Sequence, residues 1–206
     1  MTRVLLADDH PMIAAALEML LNGTDYEMLG RARTGGETLA QVARLKPDLL
    51  LLDVNMPDGS GLEVLDRLNA SRTRPAVILL TAGMEDHQLL NADALRPEGM
   101  VLKTSDPALL LDCMDEVSRG GVWVDPEIAE RTRAARERAS NAPALTKRER
   151  ELVDLVRQGL RNRDIAAQLG VTEGTVKVYL HAIFEKVGVE NRTELAMRAG
   201  ELLAHR

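Results

Sequence analysis

The chain of 206 residues is long enough for one large domain or two small ones, and with 45% hydrophobic and 28% charged side chains its composition is that of a globular protein. Its formal charge of −6 is unevenly spread: residues 1–125 hold 11 Lys/Arg against 20 Asp/Glu, residues 126–141 hold 4 against 3, and residues 142–206 hold 11 against 9, which suggests two modules with different partners. No apolar run approaches the ~20 residues of a membrane span, and Met1-Thr2-Arg3-Val4-Leu5-Leu6-Ala7-Asp8-Asp9 meets acids too early for a signal peptide, so a cytoplasmic protein is expected.

From the N-terminus, Arg3 to Ala7 is a short apolar strand ending at Asp8-Asp9, and Pro11 opens a helix over Met12 to Leu21 that Asn22-Gly23 stops. Tyr26 to Ala32 reads as a strand, Glu37 to Leu45 as a helix, and Leu49 to Asp53 as a strand whose unbroken apolar run marks burial on both faces. A helix over Gly61 to Leu68, a strand over Ala76 to Thr81, a helix over Asp86 to Leu95, a strand over Met100 to Leu102 and a helix over Pro107 to Arg119 follow. Five alternations of strand and helix imply a parallel α/β sheet covered on both sides with right-handed crossovers. The only cysteine, Cys113, excludes an internal disulfide and a cysteine-rich zinc site, and reads as a small core residue. The four histidines, His10, His87, His181 and His205, are far apart with no second ligand at metal spacing, so no zinc-type cluster is expected.

Polar residues fall at the carboxyl ends of these strands, where open α/β sheets collect ligands. Asp8 and Asp9 follow the first, Asp53 ends the third, Thr81 ends the fourth and Lys103 follows the fifth. Singly, each has a plain reading: Asp9 and Thr81 as helix caps, Lys103 as a solvated charge. Together they converge. Three carboxylates crowded on one rim call for a cation, and hard oxygen ligands with room for water suit Mg2+. A hydroxyl and an ammonium beside them are what a phosphoryl oxygen needs.

On these residues, 1 to about 120 resemble the receiver domain of bacterial two-component response regulators. The resemblance implies a sheet of order 2-1-3-4-5 and Asp53 as acceptor of a phosphoryl group from the phosphohistidine of a sensor kinase. It implies Mg2+ held by Asp8, Asp9, Asp53 and the backbone carbonyl of Asn55, with Thr81 and Lys103 binding the phosphoryl oxygens. The family couples the threonine shift to an aromatic residue three positions before the lysine. Here that position is Met100, which offers neither ring nor hydroxyl.

After Gly120-Gly121-Val122-Trp123-Val124 the chain is expected to leave the receiver. Asp125-Pro126 starts a charged helix, Glu127 to Ala139, whose Arg131, Arg133, Arg136 and Arg138 interleave with Glu127, Glu130 and Glu137 and read as a solvated linker. Ser140-Asn141-Ala142-Pro143-Ala144 reads as a flexible break. Thr146-Lys147-Arg148-Glu149 is a capping box for a helix with Leu152, Leu155 and Val156 inward. Asn162 is expected to cap Arg163 to Leu169, Gly170-Val171-Thr172 to turn the chain, Thr172 to cap Glu173 to Val187, and Asn191 with Glu194 to begin a fourth helix, which together make a helix-turn-helix.

The words Leu145-Thr146-Lys147-Arg148-Glu149, Asn162-Arg163-Asp164-Ile165-Ala166, Leu169-Gly170-Val171-Thr172-Glu173-Gly174-Thr175-Val176-Lys177 and Lys186-Val187-Gly188-Val189-Glu190-Asn191-Arg192 resemble the LuxR-type DNA-binding domain of NarL/FixJ regulators. With Val176, Leu180, Ile183 and Val187 inward, Lys177, Val178 and His181 face outward to base edges. Thr172, Thr175 and Arg192 are expected at phosphates.

The expectation is a receiver over residues 1–122, a helical linker over 123–143 and a four-helix reader over 144–206. The chain would be a phosphorylation-controlled transcription regulator that dimerises when phosphorylated, through helices one and five or the face of helix four, strand five and helix five. It would then read duplex half-sites roughly 34 Å apart. It would be no enzyme beyond its own phosphoryl transfer and dephosphorylation. A haloacid-dehalogenase-type phosphatase needs an acid two residues after the nucleophile, where Asn55 stands. The remaining alternative is a constitutive DNA binder whose receiver only dimerises or senses another signal.

Overall fold

The computed structural model describes all residues except 72, 142–144 and 205–206. The chain divides into two compact units, Met1–Glu137 and Arg138–Arg206. Among the described residues no helix is long and apolar enough to cross a membrane.

The first unit alternates β1 (Thr2–Ala7), α1 (Pro11–Leu21), β2 (Tyr26–Ala32), α2 (Gly35–Leu45) and β3 (Leu49–Asp53), then a short antiparallel pair, β4 (Asn55–Met56) and β5 (Gly59–Ser60). It continues through α3 (Gly61–Asn69), β6 (Ala76–Thr81), α4 (Asp86–Leu95), β7 (Gly99–Leu102), α5 (Pro107–Ser118), β8 (Trp123–Val124) and α6 (Pro126–Asn141). The main sheet runs β2-β1-β3-β6-β7-β8 and every pairing in it is parallel. The strand period of two divides its side chains between two cores. Leu5, Leu50, Leu52, Val77, Leu79 and Met100 pack with α2, α3 and α4, while Val4, Leu6, Leu49, Leu51, Ile78, Leu80 and Val101 pack with α1 and α5. Burial on both faces explains why β3 reads as unbroken leucine.

Two expectations for the linker change. Trp123 and Val124 do not leave the receiver but add a sixth strand, the Trp123 and Asp125 amides donating to the Glu98 and Met100 carbonyls at 3.0 and 2.9 Å. Two residues are too few to show a periodicity. Nor is α6 wholly solvated: Ile128, Thr132 and Ala135, at i, i+4 and i+7, are buried, and Ile128 joins the α2–α4 core. Three small or polar-flanked residues in a strongly charged helix leave little amphipathic signal. Ser140 and Asn141 of the anticipated break are helical, and 142–144 lie outside the described residues.

The second unit holds α7 (Lys147–Arg157), α8 (Asn162–Leu169), α9 (Glu173–Val187) and α10 (Arg192–Ala204) around Leu152, Val153, Val156, Ile165, Val176, Leu180, Ile183 and Leu195. The capping box forms, the Thr146 amide donating to Glu149 Oε2 at 2.6 Å and the Glu149 amide to Thr146 Oγ1 at 3.3 Å. Gly170 and Gly188 end α8 and α9 at φ 66° and 67°, a left-handed backbone that glycine adopts without cost. Asn162 does not cap α8. It is the first helical residue, and its side-chain oxygen instead accepts from Arg192 Nη1 at 2.9 Å.

Candidate functional site

Three parallel strands deliver charges to one rim of the sheet. β1 and β3 are in register at Ala7 and Leu52, so Asp8 and Asp53 leave the sheet side by side, and Lys103 follows β7. Asp8 is fully buried and Asp53 is 1% exposed, while Asp9 is partly exposed. Lys103 Nζ stands 2.7 Å from Asp53 Oδ2 and 2.9 Å from Asp8 Oδ2. Asp53 Oδ1 accepts the Asn55 amide at 3.1 Å, and Asp8 Oδ1 accepts the His10 amide at 2.8 Å. Burial pushes the Asp53 carboxyl above the ordinary carboxylate range; Lys103 and the Asn55 amide pull it down and the charge of Asp8 adds to the rise.

The loop behind Asp53 is tightly built. A Cβ on Gly61 would lie 2.1 Å from the Asp53 carbonyl oxygen, so only glycine lets α3 start there. Asp58 accepts the Gly35 and Gly36 amides at 2.8 and 3.4 Å and ties this loop to the start of α2.

The donors fit a divalent cation. The Lys103 ammonium meets Asp8 Oδ2 and Asp53 Oδ2, so the three carboxylates of Asp8, Asp9 and Asp53 carry more negative charge than this one cation offsets. Ligand atoms of Asp8, Asp9, His10 and Asp53 lie within 4.8 Å of one another. His10, one of the histidines with no second ligand at zinc-motif spacing, nevertheless stands in this group. Its signal was plain adjacency in Asp8-Asp9-His10, not the helical or hairpin spacing of zinc motifs.

Thr81 reaches the rim but is otherwise engaged. Its hydroxyl donates to the Gly83 carbonyl at 2.9 Å and accepts the Gly83 amide at 3.0 Å. Among the described residues no hydrogen bond joins it to Asp53. Parity along the strands accounts for this: Ile78 and Leu80 face α1 and α5, as do Leu51 and Val101, so Asp53 and Lys103 continue on that side and Thr81 on the other. Met100 is buried among the α2–α4 core residues, and its carbonyl is held by Asp125.

Three contacts that the sequence did not announce join this side of the receiver to α6 and its cap. Ser105 Oγ, two residues beyond Lys103, donates to Asp125 Oδ2 at 2.6 Å, while Asp125 Oδ1 caps α6 through the Glu127 amide. Arg131 Nη2 donates to the Met84 carbonyl at 2.5 Å, just past Gly83, and Arg136 pairs with Asp93 of α4.

In the second unit the candidates on α9 are exposed. Val178 is 67% exposed, and among the described residues Lys177 pairs with Glu173 at 3.8 Å and His181 with Glu185 at 3.6 Å. Thr172 caps the helix, its Oγ1 accepting the Thr175 amide and lying 2.9 Å from Thr175 Oγ1. Arg192 stands apart from the others: its guanidinium is partly buried, bound to Asn162 and the Leu160 carbonyl.

The profile of the response regulator receiver domain matches residues 4–115, and that of the LuxR family of bacterial regulatory proteins matches residues 143–199. The chain is a response regulator of the NarL/FixJ type. Among relatives of this class, it is 33% identical to the transcriptional regulatory protein YdfI of Bacillus subtilis, covering 98% of both chains. It is 33% identical to the nitrate/nitrite response regulator NarL of Escherichia coli, covering 94% of this chain and 93% of NarL. The crystal structure of the response regulator ChrA, 30% identical, superposes with a TM-score of 0.59 over 97% of this chain and 96% of ChrA. The RcsB response regulator of Salmonella typhimurium, at 21% identity, shares the fold with a TM-score of 0.72 over 97% of this chain and all of RcsB. This response regulator is therefore a phosphorylation-controlled, DNA-binding regulator of transcription, with an acidic cluster compatible with a divalent metal.

Proposed function

We propose that Asp53 is the phosphoryl acceptor and that Asp8, Asp9, Asp53 and the Asn55 carbonyl hold Mg2+. A carboxylate oxygen of Asp53 attacks phosphorus, the bond from phosphorus to the kinase's histidine nitrogen breaks, and the electron pair returns to the imidazole. Bound Mg2+ would neutralise charge on the transferring oxygens. Lys103 is placed to meet those oxygens, and its 2.7 Å pairing with Asp53 is the observation that carries this reading. Beyond its own phosphorylation and dephosphorylation, the chain acts by binding DNA. A cytoplasmic location follows from those partners.

The added charge, roughly −1.5 to −2, offers Thr81 a stronger partner than Gly83. If Thr81 turns to it, the loop carrying Met84 is released, and Arg131 of α6 is bound to that loop. Lys103 acts on the other end through Ser105 and Asp125. The linker helix thus takes the part of the missing aromatic switch at Met100. Because α6 bonds the Met84 carbonyl and Asp93, and Asp125 before it bonds the Met100 carbonyl, the flank of α4 and β7 is partly covered, whereas Met12 and Met19 of α1 are 84% and 80% exposed. The dimer therefore forms through α1 and α5, and paired α9 helices present Lys177, Val178 and His181 to base edges, with Thr172 and Thr175 at phosphates. Arg192 contributes by holding α10 to α8 rather than by contact.

The test uses duplex fragments selected from genomic DNA. A small acyl-phosphate donor with Mg2+ should tighten binding by the wild type and leave Asp53→Asn unchanged. Equal tightening of both would mean that phosphorylation of Asp53 is not the switch.

A further inference from the structure

His10 occupies the N-cap of α1 but does no capping: its backbone is extended at φ −78° and ψ 111°, and its side chain makes no cap hydrogen bond. Ser, Thr, Asp or Asn would be favoured there. Pro11 fixes the helix start, and the imidazole turns back over the acids instead. Nδ1 lies 3.0 Å from Asp8 Oδ1, 2.9 Å from Asp9 Oδ1 and 3.8 Å from Asp53 Oδ2.

Those separations have a meaning beyond hydrogen bonding. Around an octahedral cation with ligands at roughly 2.0–2.2 Å, neighbouring ligand atoms are about 3 Å apart and opposite ones about 4 Å. Nδ1 therefore already stands at a vertex next to two carboxylate oxygens, while the buried Asp8 Oδ2 and Asp53 Oδ2 face the Lys103 ammonium at 2.9 and 2.7 Å. The His10 side chain is 60% exposed, so its ring can keep a proton on the other nitrogen, towards water, while Nδ1 gives its lone pair inward.

We propose that His10 Nδ1 is a direct ligand of the divalent cation, which makes this a mixed nitrogen–oxygen site favouring Mn2+ over Mg2+ more strongly than the carboxylates alone would. Imidazole nitrogen suits transition metals and contributes little to Mg2+, which prefers oxygen and retains its water. The proposal rests on the reading that Asp8, Asp9 and Asp53 hold a cation.

The experiment is pulsed electron paramagnetic resonance of Mn2+ on the full chain labelled with 15N-histidine, with competition by Mg2+. Serine is the replacement of choice, because it favours the N-cap and leaves α1 intact. The wild type should show coupling from a coordinated histidine nitrogen. His10→Ser should lose that coupling, keep Mn2+ binding, and lower the ratio of Mn2+ to Mg2+ affinity about tenfold or more, since even an outer-shell partner is worth 10–100-fold. Mn2+ bound without histidine coupling, or an unchanged ratio in His10→Ser, overturns the role of His10 while sparing the carboxylate site. Failure of the wild type to bind Mn2+ overturns both.

Discussion

The two units place the side chains proposed to do their work in opposite environments. In the receiver, Asp8, Asp53 and Thr81 are buried and each is held by a neighbour. In the reader, Val178 is exposed on α9, and among the described residues Lys177 and His181 make long ion pairs with Glu173 and Glu185. Chemistry on phosphorus needs charges fixed to within a fraction of an ångström and shielded from water. A DNA-reading surface needs the reverse, donors left unsatisfied until a groove supplies their partners. A substitution should therefore act on stability and chemistry together in the first unit, and on binding alone in the second.

Lys103→Met should break this contrast most severely. It leaves buried carboxylates facing each other without a cation and should cost about 3–5 kcal/mol in a denaturant melt. Magnesium should restore more stability to the variant than it adds to the wild type; an unchanged melt would mean that Lys103 does not hold the rim together. Gly61→Ala comes next, at roughly 3 kcal/mol, because its Cβ would meet the Asp53 carbonyl oxygen at 2.1 Å and the acceptor loop must shift. Slower phosphorylation from a small acyl phosphate should accompany that loss.

In the reader, Lys177→Ala should weaken operator binding by about 1–3 kcal/mol and lower the slope of log affinity against log salt by about 1. The melt and the phosphorylation rate should be unchanged, and a loss of either would show that the units are less separate than their cores suggest. The smallest effect has the opposite sign. Gly200 lies within α10 with nothing within 4 Å of a Cβ, so Gly200→Ala should stabilise the protein by up to about 1 kcal/mol.

Residues of strong local character were legible before any coordinates. The apolar run of β3 marked a strand buried on both sides, the Thr146–Glu149 capping box marked the start of α7, and Gly170 marked the end of α8. Each depends on interactions within a few residues or on a single periodicity, and chain order then places Asp8, Asp53 and Lys103 at the same rim. Other features escaped for equally physical reasons. β8 is two residues long, and its strand character lies wholly in the Glu98 and Met100 carbonyls that it meets. Asn162 looked like a helix cap and instead accepts from Arg192, thirty residues on.

What the sequence alone determined is the order of the elements and the side of the sheet to which each polar residue goes, because backbone geometry converts residue spacing into direction. Which partner each polar group takes was decided only by the tertiary structure: Lys103 with Asp8 and Asp53, Ser105 with Asp125, Arg131 with the Met84 carbonyl. A hydrogen bond or ion pair depends on separations of a few tenths of an ångström between residues far apart in the chain, and only packing sets those.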